Sequence, residues 1–379
     1  MHTPLSRRDL ARHLSATAAA AVAASSAVGA APGVPPRAQP QSGPLPAAGS
    51  LTDVAGIRVG HASDPRRPTG CTAILFDEPV TAGADYDGSA PGEMLGVMLQ
   101  PVSPLERIHG ILLTGGGPMG LEAVAGVVRY LEARQVGYDW GVPNVRIPIV
   151  VGAVIDDLAL GDGRIRPDAA LAMRACEAAT AGPVAEGSVG AGVGATVGKM
   201  FRSRGMGGMK GGLGTVAIRS GEVVVAALCV ANAAGDVLDW RSGRIVAGAR
   251  SRDGRAFADS AAQLQRDLDT TAPRADRRLD DQPFRATTLT VVATNVALDK
   301  TSLCKLAMMA NTGPARAINP YHTNGDGDQV LTVSTNRITP AVSLTALGAV
   351  AADAAAQAIL RAVQQATGID GCGLMARWR

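Results

Sequence analysis

Catalysis by side chains starts from a nucleophile with a base beside it, and this chain holds few of the usual pairings. Two of its five histidines, His2 and His13, lie near the N-terminus, so histidine chemistry would rest on His61, His109 or His322. There is no G-x-S-x-G turn and no H-E-x-x-H helix. The five cysteines, Cys71, Cys176, Cys229, Cys304 and Cys372, are odd in number and widely spaced, with no C-x-x-C. That pattern suits neither a disulfide framework nor a structural zinc site, and Cys229 in Ala-Leu-Cys-Val reads as a small buried apolar residue. Gly198-Lys199 resembles the end of a phosphate-binding loop, but Val193 stands where glycine is required and Met200 where Ser or Thr is required. Gly190 to Ala195 fits G-x-G-x-x-A without a clear preceding strand, which leaves a dinucleotide site unsupported. Asn324, Asp326 and Asp328 open like a calcium loop, but Gln329 and Thr335 replace its glycine and glutamate. No cofactor and no metal are expected.

One other chemistry needs neither histidine nor cysteine. A threonine hydroxyl becomes a competent nucleophile when its own α-amine is freed, because that amine titrates at about 7.7–8.0 and sits beside the hydroxyl. The chain must then be cut immediately before the threonine. The polar, charged segment 251–285 runs into Thr287-Thr288-Leu289-Thr290-Val291-Val292-Ala293-Thr294, a β-branched strand. A cut between Ala286 and Thr287 would supply such a terminus. Strands that begin with Thr are common, so propensity by itself does not single this position out.

An ordered set of motifs does. Val59-Gly60-His61-Ala62 and Thr69-Gly70-Cys71-Thr72 are followed by Leu113-Thr114-Gly115-Gly116, Gly120-Leu121-Glu122-Ala123 and Arg166-Pro167-Asp168. Then come Gly190 through Lys199, Lys210-Gly211-Gly212-Leu213-Gly214, the Thr287–Asn295 strand, His322-Thr323 and Asp326-Gly327-Asp328. Across residues 52–367 the chain resembles the L-aminopeptidase/D-esterase (DmpA-like) family, which includes β-peptidyl aminopeptidases and nylon-oligomer hydrolases. The resemblance implies an αββα sandwich of the DmpA/ornithine-acetyltransferase type, like that of N-terminal-nucleophile hydrolases. It also implies self-cleavage into two chains, 51–286 and 287–379, and homo-oligomers. Matched to the nylon-hydrolase branch, it places the nucleophile on Thr287, a lysine on Lys199, an asparagine on Asn232 and two carboxylates on Asp326 and Asp328. The residue before the nucleophile, commonly Asn or Gly in the family, is Ala286 here.

In that scheme Thr287 Oγ attacks an amide carbonyl, the freed amine takes its proton, and Asn232 donates to the oxyanion. Lys199 hydrogen-bonds Thr287, while Asp326 and Asp328, two apart on an extended segment, face one way and orient the ammonium and Lys199. Each residue also has a plainer reading. Lys199 is a surface lysine, Asn232 caps a turn, Asp326-Gly327-Asp328 is ordinary turn chemistry, Thr287 stays in an uncut strand, and His61 and His322 are structural. The expected activity is hydrolysis of a small peptide or amide. Acyl transfer on the same fold and an exported, non-catalytic binding protein are the alternatives.

Elements to position these residues are legible. Strands are expected at 57–59, 71–76, 108–114, 147–155, 215–219, 223–230, 287–294 and 330–335, bounded by Gly, Pro and Asp. Helices are expected at 121–134, 168–180, from Asp299 through Met309, and at 343–366, with Pro314 interrupting a stretch the resemblance implies to be helical. Strands and helices come in runs, which indicates a layered α+β fold. A net charge of +3 and 3% aromatic residues give no purchase for nucleic acid. Residues Ser6-Arg7-Arg8-Asp9-Leu10, followed by an alanine-rich run to about residue 31, form a twin-arginine signal peptide (1–31) read by the twin-arginine export machinery. Periplasmic or extracellular location follows, with a disordered linker over 32–50 and the hydrolase domain over 51–379.

Overall fold

A computed structural model describes residues 49–269, 271 and 285–369. The expected signal peptide, most of the linker, and Cys372 lie outside the described residues. Gly49 and Ser50, at the end of that linker, belong to the folded body: Ser50 is buried and its N–H donates to Asp53 (3.0 Å).

Among the described residues, nine strands share one sheet: β1 (Ile57–Ser63), β2 (Gly70–Asp85), β3 (Glu93–Met94), β4 (Arg107–Thr114), β5 (Val150–Val154), β6 (Gly212–Ser220), β7 (Val223–Asn232), β8 (Thr287–Val296) and β9 (Gln329–Ile338). Their order is β6-β7-β8-β9-β2-β4-β5-β3, with β1 also paired to β2. Helices are α1 (Val124–Glu132), α2 (Ala169–Glu177), α3 (Ser260–Arg266), α4 (Lys300–Ala317) and α5 (Leu344–Gln364).

Alternation along the strands sorts their side chains into three cores and so builds four layers. Ile74, Ile111, Leu113 and Val151 face Leu228, Val230, Leu289, Val291 and Leu331 in a core between strands. The opposite faces of β7, β8 and β9 send Cys229, Ala231, Val292 and Val330 into a second core with Leu303 and Leu306 of α4 and Ile359 and Leu360 of α5. The outer faces of β2, β4 and β5 send Cys71, Leu75, Leu112 and Val150 into a third with α1 and α2. The result is the expected αββα sandwich. The two β layers are one continuous sheet folded on itself through β2, whose first half pairs with β1 and whose second half pairs with β9. A register irregularity between Leu75 and Val80 marks the change.

Helix starts follow side-chain chemistry. Asp168, Asp299 and Ser343 accept the N–H of Leu171 (2.8 Å), Ser302 (2.7 Å) and Ala346 (3.1 Å). α4 continues past the expected Met309 and takes in Pro314, because α4 packs along α5 and the proline falls in the last turn, where its carbonyl still accepts the Ile318 N–H. Leu121–Ala123 belong to a 3-10 turn that precedes α1. α5 is long and apolar enough to cross a membrane by composition, but 72% of that stretch is buried against the sheet and α4, as in a core helix. The four described cysteines are free and buried.

Candidate active site

Thr287 opens β8 and is buried at 2% exposure. Register does the first part of the assembly: β8 runs antiparallel to β7 and sets Thr287 opposite Asn232, and it runs parallel to β9, which brings in the segment 322–328. The Asn232 Oδ1 accepts from Lys199 Nζ (2.6 Å) and from the Thr196 N–H (3.0 Å). Its Nδ2 donates to the Asp156 carbonyl (3.3 Å), and a primary amide carries a second N–H. Lys199 follows Gly198, whose φ of +67° is open to glycine and whose absent Cβ would fall 2.0 Å from the Ala249 nitrogen. That turn directs the lysine inward, where Nζ also donates to Thr196 Oγ1 (3.3 Å). Burial pushes Lys199 down to about 8, and the Asp156 and Asp326 carboxylates oppose the fall.

The carboxylates do not line up as a strand pair. Both precede β9, and they turn to different partners. Asp326 Oδ2 accepts the Thr323 N–H (2.9 Å) and hydroxyl (2.5 Å), while its buried Oδ1 has no protein partner. Burial, and then the neighbouring Asp328 carboxylate, push Asp326 up to about 6. Asp328 Oδ1 accepts the Thr288 N–H (2.6 Å), and its Oδ2 accepts the His322 N–H (3.2 Å) with the His322 ring Nδ1 at 3.4 Å. Asp328 therefore anchors the backbone one residue beyond the nucleophile.

The peptide bond before Thr287 is held directly. The Ala286 carbonyl oxygen accepts the Gly327 N–H (2.9 Å) and the Thr287 hydroxyl (2.5 Å). A Cβ at Gly327 would lie 2.4 Å from the Ala90 carbonyl oxygen and 2.9 Å from Thr287 Oγ1, so only glycine leaves this approach open. The structure thus brings all five expected catalytic residues and the Ala286–Thr287 bond into one buried cluster. In place of the expected Lys199–Thr287 hydrogen bond, Lys199 Nζ donates to Asn232 Oδ1 and Thr196 Oγ1.

Other members were not singled out from sequence. Thr196 and Gly327 sit inside quoted motifs but carried no role. Asp156 is placed by its neighbour Asp157, which is buried against Arg67, accepts from Thr69 Oγ1 (2.6 Å) and receives the Gly116 N–H (2.9 Å). Lys210 is wholly buried and donates to the carbonyls of Gly192 (2.7 Å), Ala195 (3.0 Å) and Gly211 (2.9 Å), tying down the glycine-rich run that carries Thr196. His61 pairs with Thr72 Oγ1 (2.9 Å) and burial lowers it to about 4, which fits the structural reading.

A family model described as peptidase family S58 matches residues 49–375. The chain belongs to peptidase family S58. This S58 member is 37% identical over 347 residues to an uncharacterized aminopeptidase of Mycobacterium tuberculosis, across 85% of this chain and 95% of that one. It is 31% identical over 323 residues to a 6-aminohexanoate-oligomer endohydrolase of Kocuria sp., across 82% and 85% of the two chains. Among solved structures, an L-aminopeptidase D-Ala-esterase/amidase of Ochrobactrum anthropi, described as a variant of the Ntn-hydrolase fold, matches with a TM-score of 0.60 at 21% identity, covering 87% and 89%. A β-aminopeptidase of Burkholderia sp. matches with a TM-score of 0.58. The chain is a hydrolase of the S58 peptidase family with the Ntn-hydrolase fold of DmpA-like aminopeptidases.

Proposed function

We propose that this S58 hydrolase is exported, cuts its own backbone between Ala286 and Thr287, and then hydrolyses small peptides or amides with Thr287 as an N-terminal nucleophile. The observation that carries the reading is the Ala286 carbonyl, gripped by the Gly327 N–H with the Thr287 hydroxyl already on it. In self-cleavage Thr287 Oγ attacks the Ala286 carbonyl carbon and loses its proton to the Asp326 carboxylate, whose second oxygen is unbonded. Gly327 stabilises the oxyanion. The C–N bond breaks, the nitrogen takes the proton, and an ester joins Ala286 to Thr287 Oγ. That break frees the α-amine of Thr287, and water then hydrolyses the ester to release the Ala286 carboxylate and return the Thr287 hydroxyl.

In the mature enzyme the same oxygen attacks the substrate amide while the new amine takes its proton and delivers it to the leaving amine. The second N–H of Asn232 joins Gly327 at the oxyanion. Lys199, bound to Asn232, holds that amide in orientation and adds positive charge. Asp328 fixes the strand start through Thr288.

The test is intact mass of purified protein under denaturing conditions. A fragment running from Thr287 to Arg379 is expected from the parent chain, and Thr287→Ala should give one uncut chain and lose activity by roughly 10³-fold or more. A parent chain that stays whole and hydrolyses amides would sink the reading. Export is tested separately: Arg7→Lys with Arg8→Lys should leave the protein inside the cell, whereas unchanged secretion would rule out the twin-arginine route.

A further inference from the structure

Ala286 does more than mark the cut. Its methyl group is buried at 1% exposure in a small apolar nest with Met200, Phe201, Ala234 and Ala249, closed at the edge by Met206, Ala258 and Leu264 of α3. Phe201 is fully buried, and the Arg204 guanidinium lies 4.8 Å from its ring centre. Arg204 is itself held by Asp267 through two hydrogen bonds (2.8 and 2.6 Å). The wall of the nest is therefore braced from behind. This cluster is separate from the sheet and helix cores, and nothing in the mechanism above uses it.

Resting on the Thr287 reading, we infer that this nest is the acyl-side specificity pocket of the mature hydrolase, and that it selects substrates whose acyl residue carries a small apolar side chain. The reason is chemical identity of two intermediates. Self-cleavage passes through an ester of Ala286 on Thr287 Oγ, and substrate hydrolysis passes through an ester of the substrate's acyl group on the same atom. A trigonal carbonyl carbon has three substituents in one plane. Once Oγ is fixed and the carbonyl oxygen faces Gly327 N–H, the direction of the third substituent is fixed too. Hydrolysis of the first ester frees the Ala286 carboxylate, and the space its methyl filled becomes available to the next acyl group. Met200, Phe201 and the two alanines offer that group no hydrogen bond, so polar side chains would enter without partners. The uncut chain is thus an image of the enzyme with its first substrate.

The experiment reads self-cleavage and turnover in the same variants. Ala286→Gly and Ala286→Leu chains are followed by intact mass, the latter alone and combined with Met200→Ala or Phe201→Leu. Ala286→Gly should cut, Ala286→Leu should cut at least about 10-fold more slowly, and the enlarged pockets should recover much of that loss. The mature parent should then prefer alanyl- over leucyl-p-nitroanilide by about 10-fold or more, with the preference narrowing in mature Met200→Ala and Phe201→Leu. Two pocket variants are used so that a folding defect in one leaves the other to decide. Cleavage indifferent to the side chain at 286, or an acyl preference unmoved by both pocket variants, would overturn the pocket assignment. A parent chain uncut at 286–287 would instead overturn the nucleophile reading on which it rests.

Discussion

At the residue scale the site is governed by what burial does to charge. Burial, and then the Asp328 carboxylate, push the Asp326 carboxyl up from its ordinary value of 3.8 to about 6 inside the fold. A carboxyl whose folded value is raised contributes stability that is fully present below about 3.8 and is lost as pH rises through about 6. Asp326→Asn in an uncut Thr287→Ala background should therefore be more stable than its parent at pH 7, by up to about 3 kcal/mol, with the gain vanishing near pH 3.5. Urea unfolding at the two pH values checks this, and a gain that is the same at both would refute it. Asp326 and Lys199 together bracket self-cleavage. Asp326 must lose its proton, near 6, to act as the base, and Lys199 keeps its own until about 8, so the rate of cutting should rise and then fall across that window.

At the element scale, short polar contacts place long pieces of structure. Asp299 accepts the Ser302 N–H at 2.7 Å and starts α4, which backs β9 and the second half of β2. The hydrogen bond also lowers the Asp299 carboxyl below its ordinary value. Asp299→Ala should cost about 1 kcal/mol of stability while leaving the rate of amide hydrolysis unchanged, since the cap follows the far end of β8 from Thr287. Thermal unfolding together with turnover separates the two effects. A large fall in turnover at preserved stability would mean that α4 positions the site more directly than its packing suggests.

At the scale of the whole molecule, the proposed cut falls at the start of a central strand. β8 lies between β7 and β9, and its side chains enter the cores on both faces. α4 and α5, which follow it, pack on each other and on the sheet. The two pieces made by cleavage should stay together in native buffer and separate only in denaturant. Native mass against denaturing mass measures this, and reports at the same time the homo-oligomer proposed for the family resemblance. Release of the smaller piece in native buffer would contradict the layering described here.

Periodicity in the sequence was enough to place the major strands and helices, because alternating and helical apolar patterns survive without knowledge of partners. Thr287-Thr288-Leu289-Thr290-Val291 announces a two-sided buried strand, and Asp168, Asp299 and Ser343 announce helix starts through local hydrogen bonds. The five candidate site residues could be named only through the family resemblance that an ordered set of motifs carries. Their meeting was not, since Lys199, Asn232, Thr287 and Asp328 are brought together by strand pairings between distant segments. Only the tertiary structure decided that Lys199 bonds Asn232 in place of Thr287, that Asp326 and Asp328 face different partners, and that Gly327 holds the Ala286 carbonyl. The physical reason is that local patterns follow from neighbours along the chain, whereas hydrogen-bond partners and desolvation are set by residues that only folding makes neighbours.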